Sequence, residues 1–142
     1  MTLAKAHTVA EAYLAQVLPA AVASAGGTGV YRHPAPEDAR VPFLTVNYLG
    51  GRVYRPNGRT LQGVEACRFD VSAWDTGLSA SRAAALLDAA VAAIEAGAPT
   101  TLPGGQVLSA LRAGPLGAPP TIVERGSTWQ RDAALIEILV SL

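Results

Sequence analysis

Two runs of alternating hydrophobicity separated by one strong turn signal limit this chain more than any other feature of its 142 residues. From Val41 onward Leu44, Val46 and Tyr48 fall on one face and Thr45 and Asn47 on the other, the period of a half-buried strand. A second run places Cys67, Phe69, Val71 and Ala73 opposite Arg68, Asp70 and Ser72. Between them lies Arg55-Pro56-Asn57-Gly58-Arg59, in which proline presets one turn dihedral and Asn-Gly tolerates positive φ. The pattern predicts a long antiparallel hairpin. Arms of about 15 residues span roughly 50 Å, more than a domain of this size needs, so the tip is expected to project.

Helical spacing flanks the hairpin. Thr8-Val9-Ala10-Glu11 has the form of a capping box, and Val9, Tyr13 and Val17 follow at helical steps with Leu14 and Leu18 beside them. A first helix is expected from about Thr8 to Ala25, bent near Pro19 and stopped by Gly26-Gly27. Thr76 or Ser79 can cap a second helix, in which Ala83, Leu87, Ala90, Val91 and Ile94 recur up to Gly97. Residues Thr28 to Arg40 read as an extended, proline-bearing connection, Gln106 to Arg112 as a short strand, and Ala113 to Pro120 as a Gly/Pro loop. Trp129 to Val140 alternates Ala134, Ile136, Ile138 and Val140 against Leu135, Glu137 and Leu139, apolar enough on both faces to be covered on both sides. The fold expected is α+β: one domain over residues 1–142, an antiparallel sheet of about four strands, two helices on one face and the protruding hairpin.

Composition narrows the function. Half of the residues are apolar and 15% charged, so the chain can bury a core and is not disordered. Eleven basic and eleven acidic side chains cancel, leaving no net field to gather nucleic acid or anionic lipid. No uninterrupted apolar run approaches the roughly 18 residues that span a bilayer, and a soluble chain is expected. Ala23-Ser24-Ala25 imitates a signal-peptidase site, but Glu11, Gln16 and Pro19 interrupt the preceding stretch, which reads better as an amphipathic helix.

Few side chains offer chemistry. Lys5 is the sole lysine, which removes a Schiff-base or phosphate-loop lysine from the body of the fold. Cys67 is the single cysteine and His7 and His33 the only histidines, too few for the usual zinc sets, so neither metal nor cofactor is expected. Cys67 falls on the apolar face of a strand with no histidine near it in sequence, the setting of a small core residue. His7 and His33 read as surface residues, and Glu65, Asp70 and Asp75 as outward-facing strand charges. Gly26-Gly27-Thr28-Gly29 follows a helix instead of opening one, which suits a helix stop and not a phosphate cradle. The unusual polar feature is the hairpin tip, where Arg52, Arg55, Asn57, Gly58 and Arg59 could dock on carboxylates of a neighbour or serve as a solvated turn.

Several strings together resemble one family. Gly29-Val30-Tyr31 precedes a proline-rich connection, and Val41-Pro42-Phe43-Leu44 opens a strand. Arg68-Phe69-Asp70-Val71-Ser72-Ala73-Trp74 then leads through Asp75-Thr76 into an Ala/Leu helix. This layout is similar to the tail terminator (tail completion) proteins of long-tailed bacteriophages, with their V-Y, P-Y/F and F-x-V-x-x-W strings, and covers most of the chain. A departure is the segment from Ala113 to Thr128 with Pro115, Pro119 and Pro120, which puts the register of the last two strands in question.

The resemblance implies a homo-oligomer, a six-membered ring that binds the last ring of tail-tube protein and ends tube growth. Its other face would meet head-completion (neck) proteins, with DNA only passing through the lumen, no membrane, no catalytic residue and no cofactor. Such a protein would be found at the head-proximal end of the virion tail and, during assembly, in the host cytoplasm. Leu135 and Leu139, with Tyr13, then become candidates for burial between subunits. Two other readings compete: another neck or minor tail component, such as a head-tail stopper or tube protein, and a small enzyme using Cys67 or a ligand-binding domain.

Overall fold

The computed structural model describes residues 5–53, 63–77, 79–115, 122–124 and 127–142. In chain order the elements are α1 (Ala6–Ser24), β1 (Val30–Arg32), β2 (Phe43–Val53), β3 (Val64–Thr76) and α2 (Ser81–Ala96). There follow β4 (Thr100–Leu102), β5 (Gly105–Pro115), β6 (Ile122–Glu124) and β7 (Ser127–Ser141). Among the described residues the strands form one sheet ordered β1-β2-β3-β7-β5-β4, with β6 also paired to β7.

The α+β architecture with two helices on one face of the sheet is as expected. The four long strands β2, β3, β5 and β7 are the four read from the sequence, and every contact among them is antiparallel. The strand count is corrected upward by three elements of three residues each, β1, β4 and β6, too short to show a period. One of these, β1, falls in the stretch expected to be a plain connection and joins β2 in parallel, with Val30 opposite Leu44. The register in question is fixed by pairing: β5 runs on to Pro115 opposite Ala134, and β6 pairs Ile122 with Trp129.

The helix starts also differ. Thr8 and Val9 both donate their N–H to Lys5 O, so Thr8 is already helical and Lys5, in extended conformation, is the N-cap. The extra turn is drawn in by packing, since Ala6 is buried and the His7 ring stacks on Tyr48 at 5.1 Å. Pro19 lies inside α1 without ending it, and Gly26, at φ +84, ends the helix in the left-handed region where a side chain is strained. For α2 the N-cap is Ala80, and Ser79 Oγ accepts the N–H of Ser81 at 3.2 Å.

Between sheet and helices lies a continuous apolar core. Phe69, Val71, Leu87, Ile94 and Ile136 are all fully buried, as their spacing predicts, with Leu18, Leu44, Leu86 and Ile138 among them. Each such side chain contributes about 1.5–3 kcal/mol relative to exposure. Tyr13 belongs to this core and not to a surface: its hydroxyl donates to the carbonyl of Ile94, joining α1 to the last turn of α2. Gly97 makes room for it, because a Cβ there would lie 2.6 Å from the Tyr13 oxygen. Tyr13 is therefore withdrawn as a residue for burial between subunits.

Candidate functional site

The helices cover only one face of the sheet. Among the described residues of this chain β7 is not covered on both sides as expected, because α1 and α2 pack on the same side and leave Leu135 and Leu139 half-buried on the other. That open face is where the candidate residues converge.

Its centre is Glu137. On β7 it stands between Leu135 and Leu139, opposite Arg68 of β3 and Leu111 of β5. Arg68 Nε donates to Glu137 Oε2 at 3.2 Å, and Arg52 Nη2 approaches the same oxygen at 3.5 Å. Two guanidinium groups thus share one carboxylate, which leaves the patch with surplus positive charge beside exposed apolar Leu111. Arg52, expected at the hairpin tip, is instead part of this ladder on β2, opposite Ala66. Arg55, Asn57, Gly58 and Arg59 lie outside the described residues.

Further along the same face the charges are closed among themselves. Arg131 Nη2 donates to Asp70 Oδ2 at 2.6 Å and Nε to Ser72 Oγ at 3.0 Å, while its guanidinium sits 5.3 Å from the Trp74 ring centre. Trp74 Nε1 donates to Thr45 Oγ1 at 2.9 Å. A planar cation held by carboxylate, hydroxyl and aromatic face together is fixed in orientation, so this end of the face is rigid.

Asp75, expected to face outward, is buried on the helix side, where Arg82 of α2 holds it. Its carboxyl is held below the ordinary aspartate value, first by the hydrogen bonds from Arg82 and also by the N–H of Thr76 at 2.8 Å, against the opposing effect of burial. The pair fastens β3 to α2.

The side chains able to carry chemistry stand apart. Cys67 is fully buried, and burial, aided by the Glu65 carboxylate, pushes its thiol up to about 11. Such a thiol stays protonated at neutral pH and is a poor nucleophile. His7 is engaged with Tyr48, and His33 is exposed next to β1. A cavity of about 440 Å³ opens between α1 and the β1–β2 edge, floored by Leu14, Leu18, Val46 and Phe69, with the Arg32–Glu11 ion pair on its rim. Among the described residues no group of three His, Cys, Asp or Glu side chains is placed to hold a metal ion, and no helix is long and apolar enough to cross a membrane.

Of this face the sequence singles out Leu135 and Leu139, and not the carboxylate between them. Glu137 alternates with leucines as any strand carboxylate would, and only the β3–β7 register reveals that two arginines meet it.

No protein-family model matches the chain, and no curated protein matches it. Among solved structures it is similar to a chain of "Virion of native gene transfer agent (GTA) particle", with a TM-score of 0.63 and 21% identity over 91% of this chain and 92% of that one. At that identity the likeness establishes a shared fold along nearly the whole of both chains.

Proposed function

We propose that this chain is a structural component of a phage-like particle, and within it a tail terminator: a ring-forming subunit that caps the tail tube, stops its growth and offers a surface for head attachment. The observation that carries the reading is the likeness, over nine-tenths of both chains, to a chain of a gene transfer agent virion. The strings Val30-Tyr31, Pro42-Phe43 and Phe69 to Trp74 point the same way, and they fall on β1, the start of β2 and β3. The open face around Glu137, with Leu111, Leu135 and Leu139, supplies apolar area and arginine charge for subunit or tube contacts. No reaction is assigned, in keeping with the buried, protonated thiol of Cys67. The segment from Arg55 to Arg59, which lies outside the described residues, is proposed from its arginines as a docking element for carboxylates on a neighbouring subunit or tube ring.

The test is assembly. Native mass spectrometry and electron microscopy of the purified chain, alone and with tail tubes, should show short closed rings and one ring per tube end. A stable 14.6 kDa monomer under every condition would refute ring formation. Open-ended stacking would favour a tube protein instead.

A further inference from the structure

The sheet is unfinished at both edges. β1 covers β2 only from Leu44 to Val46, closing with the His33 N–H on Val46 O, and β4 covers β5 only from Gly105 to Val107. Beyond those points, among the described residues, Asn47–Val53 of β2 and Leu108–Pro115 of β5 have no strand on their outer sides. The two stretches are similar in length. They also carry four of the five exposed large apolar side chains among the described residues: Tyr48, Leu49, Val53 and Leu111. Long edges with unpaired backbone groups and apolar side chains are templates for another strand.

Direction decides which strand. β2 is antiparallel to β3, β3 to β7 and β7 to β5, so β5 runs opposite to β2. When two copies lie side by side with their helices on the same face, β5 of one therefore meets β2 of the next antiparallel, and the all-antiparallel order of the long strands continues unbroken. We propose that the chain assembles in this way, the open edge of β2 in one copy pairing with the open edge of β5 in the next.

A two-fold pairing of β2 with β2 would leave every β5 edge bare. Head-to-tail pairing satisfies both edges in each copy once the series closes. The closure rests on the ring reading above. Bulges at Tyr48/Gly50 on β2 and at Val107/Ser109 and Arg112/Gly114 on β5 add twist and bend to the edge strands, which limits the strands that can lie against them. These features restrict the edge to a particular partner while the absence of lysine leaves it able to pair.

Directly opposed residues of adjacent strands have the Cα separation of a disulfide, so paired edges can be trapped covalently. Two double variants, Leu49→Cys/Leu111→Cys and Val53→Cys/Ala113→Cys, sample two registers. Each is oxidised with diamide at a concentration where light scattering finds wild type assembled, and alkylated before unfolding. At least one should give a ladder of covalent multimers ending at the ring size, and the corresponding single variants should give none. A single variant that dimerises by itself would overturn head-to-tail pairing.

Hydrogen exchange on the unmodified chain provides a second measurement. Amides in Asn47–Val53 and Leu108–Gly114 should exchange on the order of tenfold more slowly, or slower still, in the assembled form. If wild type assembles into rings while neither segment is protected and no ladder appears, the edge pairing is wrong and the ring reading stands. If wild type stays monomeric at every concentration and beside tail tubes, the ring reading fails and the edge pairing with it.

Discussion

Arg82, in the first turn of α2, holds the buried carboxylate of Asp75 with two hydrogen bonds, Nε to Oδ2 at 2.7 Å and Nη2 to Oδ1 at 2.6 Å. A cation at a helix N-terminus opposes the macrodipole, and the Asp75 carboxylate offsets that cost while fixing α2 against the end of β3.

The pair makes stability depend on acid. Because the folded Asp75 has its pKa lowered, chiefly by Arg82, its contribution is present above the unfolded aspartate value and is lost as pH falls through the folded one. Asp75→Asn is expected to lower the urea midpoint at pH 7 and to lose less than wild type on going from pH 5 to pH 3. Parallel losses in the two proteins would show that Asp75 does not set the acid limb.

The core makes a simpler demand. Leu87→Ala and Ile136→Ala each remove a fully buried side chain and should each cost about 2–5 kcal/mol, read from denaturant midpoints.

Tyr13 and Gly97 should behave as a coupled pair. Tyr13→Phe removes the donor to Ile94 O and should cost about 0.5–1.5 kcal/mol. Gly97→Ala sets a methyl 2.6 Å from the Tyr13 oxygen and 2.9 Å from Val17 Cγ1, an overpacking of about 1–3 kcal/mol. With the phenol oxygen gone the methyl has more room, so the double variant should be less destabilised than the two singles added together.

On the open face, Leu135→Ser and Leu139→Ser alter half-buried positions and should each cost about 1 kcal/mol in the folded subunit. Assembly should suffer far more than folding, with the light-scattering midpoint moving to higher concentration. Unchanged assembly in the double variant would remove these leucines from the interface.

Cys67 gives a reporter of opening. With its thiol at about 11 and no exposed surface, it should resist thiol reagents at pH 8 in the folded chain and react at the ordinary rate in urea.

Much of this architecture was legible because the long elements state their period plainly. The alternations through Phe69 and Ile136 and the helical steps through Leu87 and Ile94 name the inward faces correctly, since burial is what writes those patterns. What was hidden came from tertiary contact. β1 is three residues long, and pairing with β2 makes it a strand. In sequence Asp75 looks like an outward charge because its partner sits on the next helix, and Tyr13 looks like surplus surface because the glycine that makes room for it, Gly97, is far along the chain. The meeting of Arg52, Arg68 and Glu137 depends on a register that no local string encodes.

The position of β7 bears on how the chain is made. The strand at the middle of the sheet comes last in sequence order, and its bonds reach back 61 residues from Arg131 to Asp70 and 69 from Glu137 to Arg68. At a synthesis rate of about 5–20 residues per second, β3 waits on the order of 3–14 s for its neighbour. During that interval β3 and, once it is made, β5 lack the strand that lies between them, and the midline of the nascent sheet stays bare until β7 emerges.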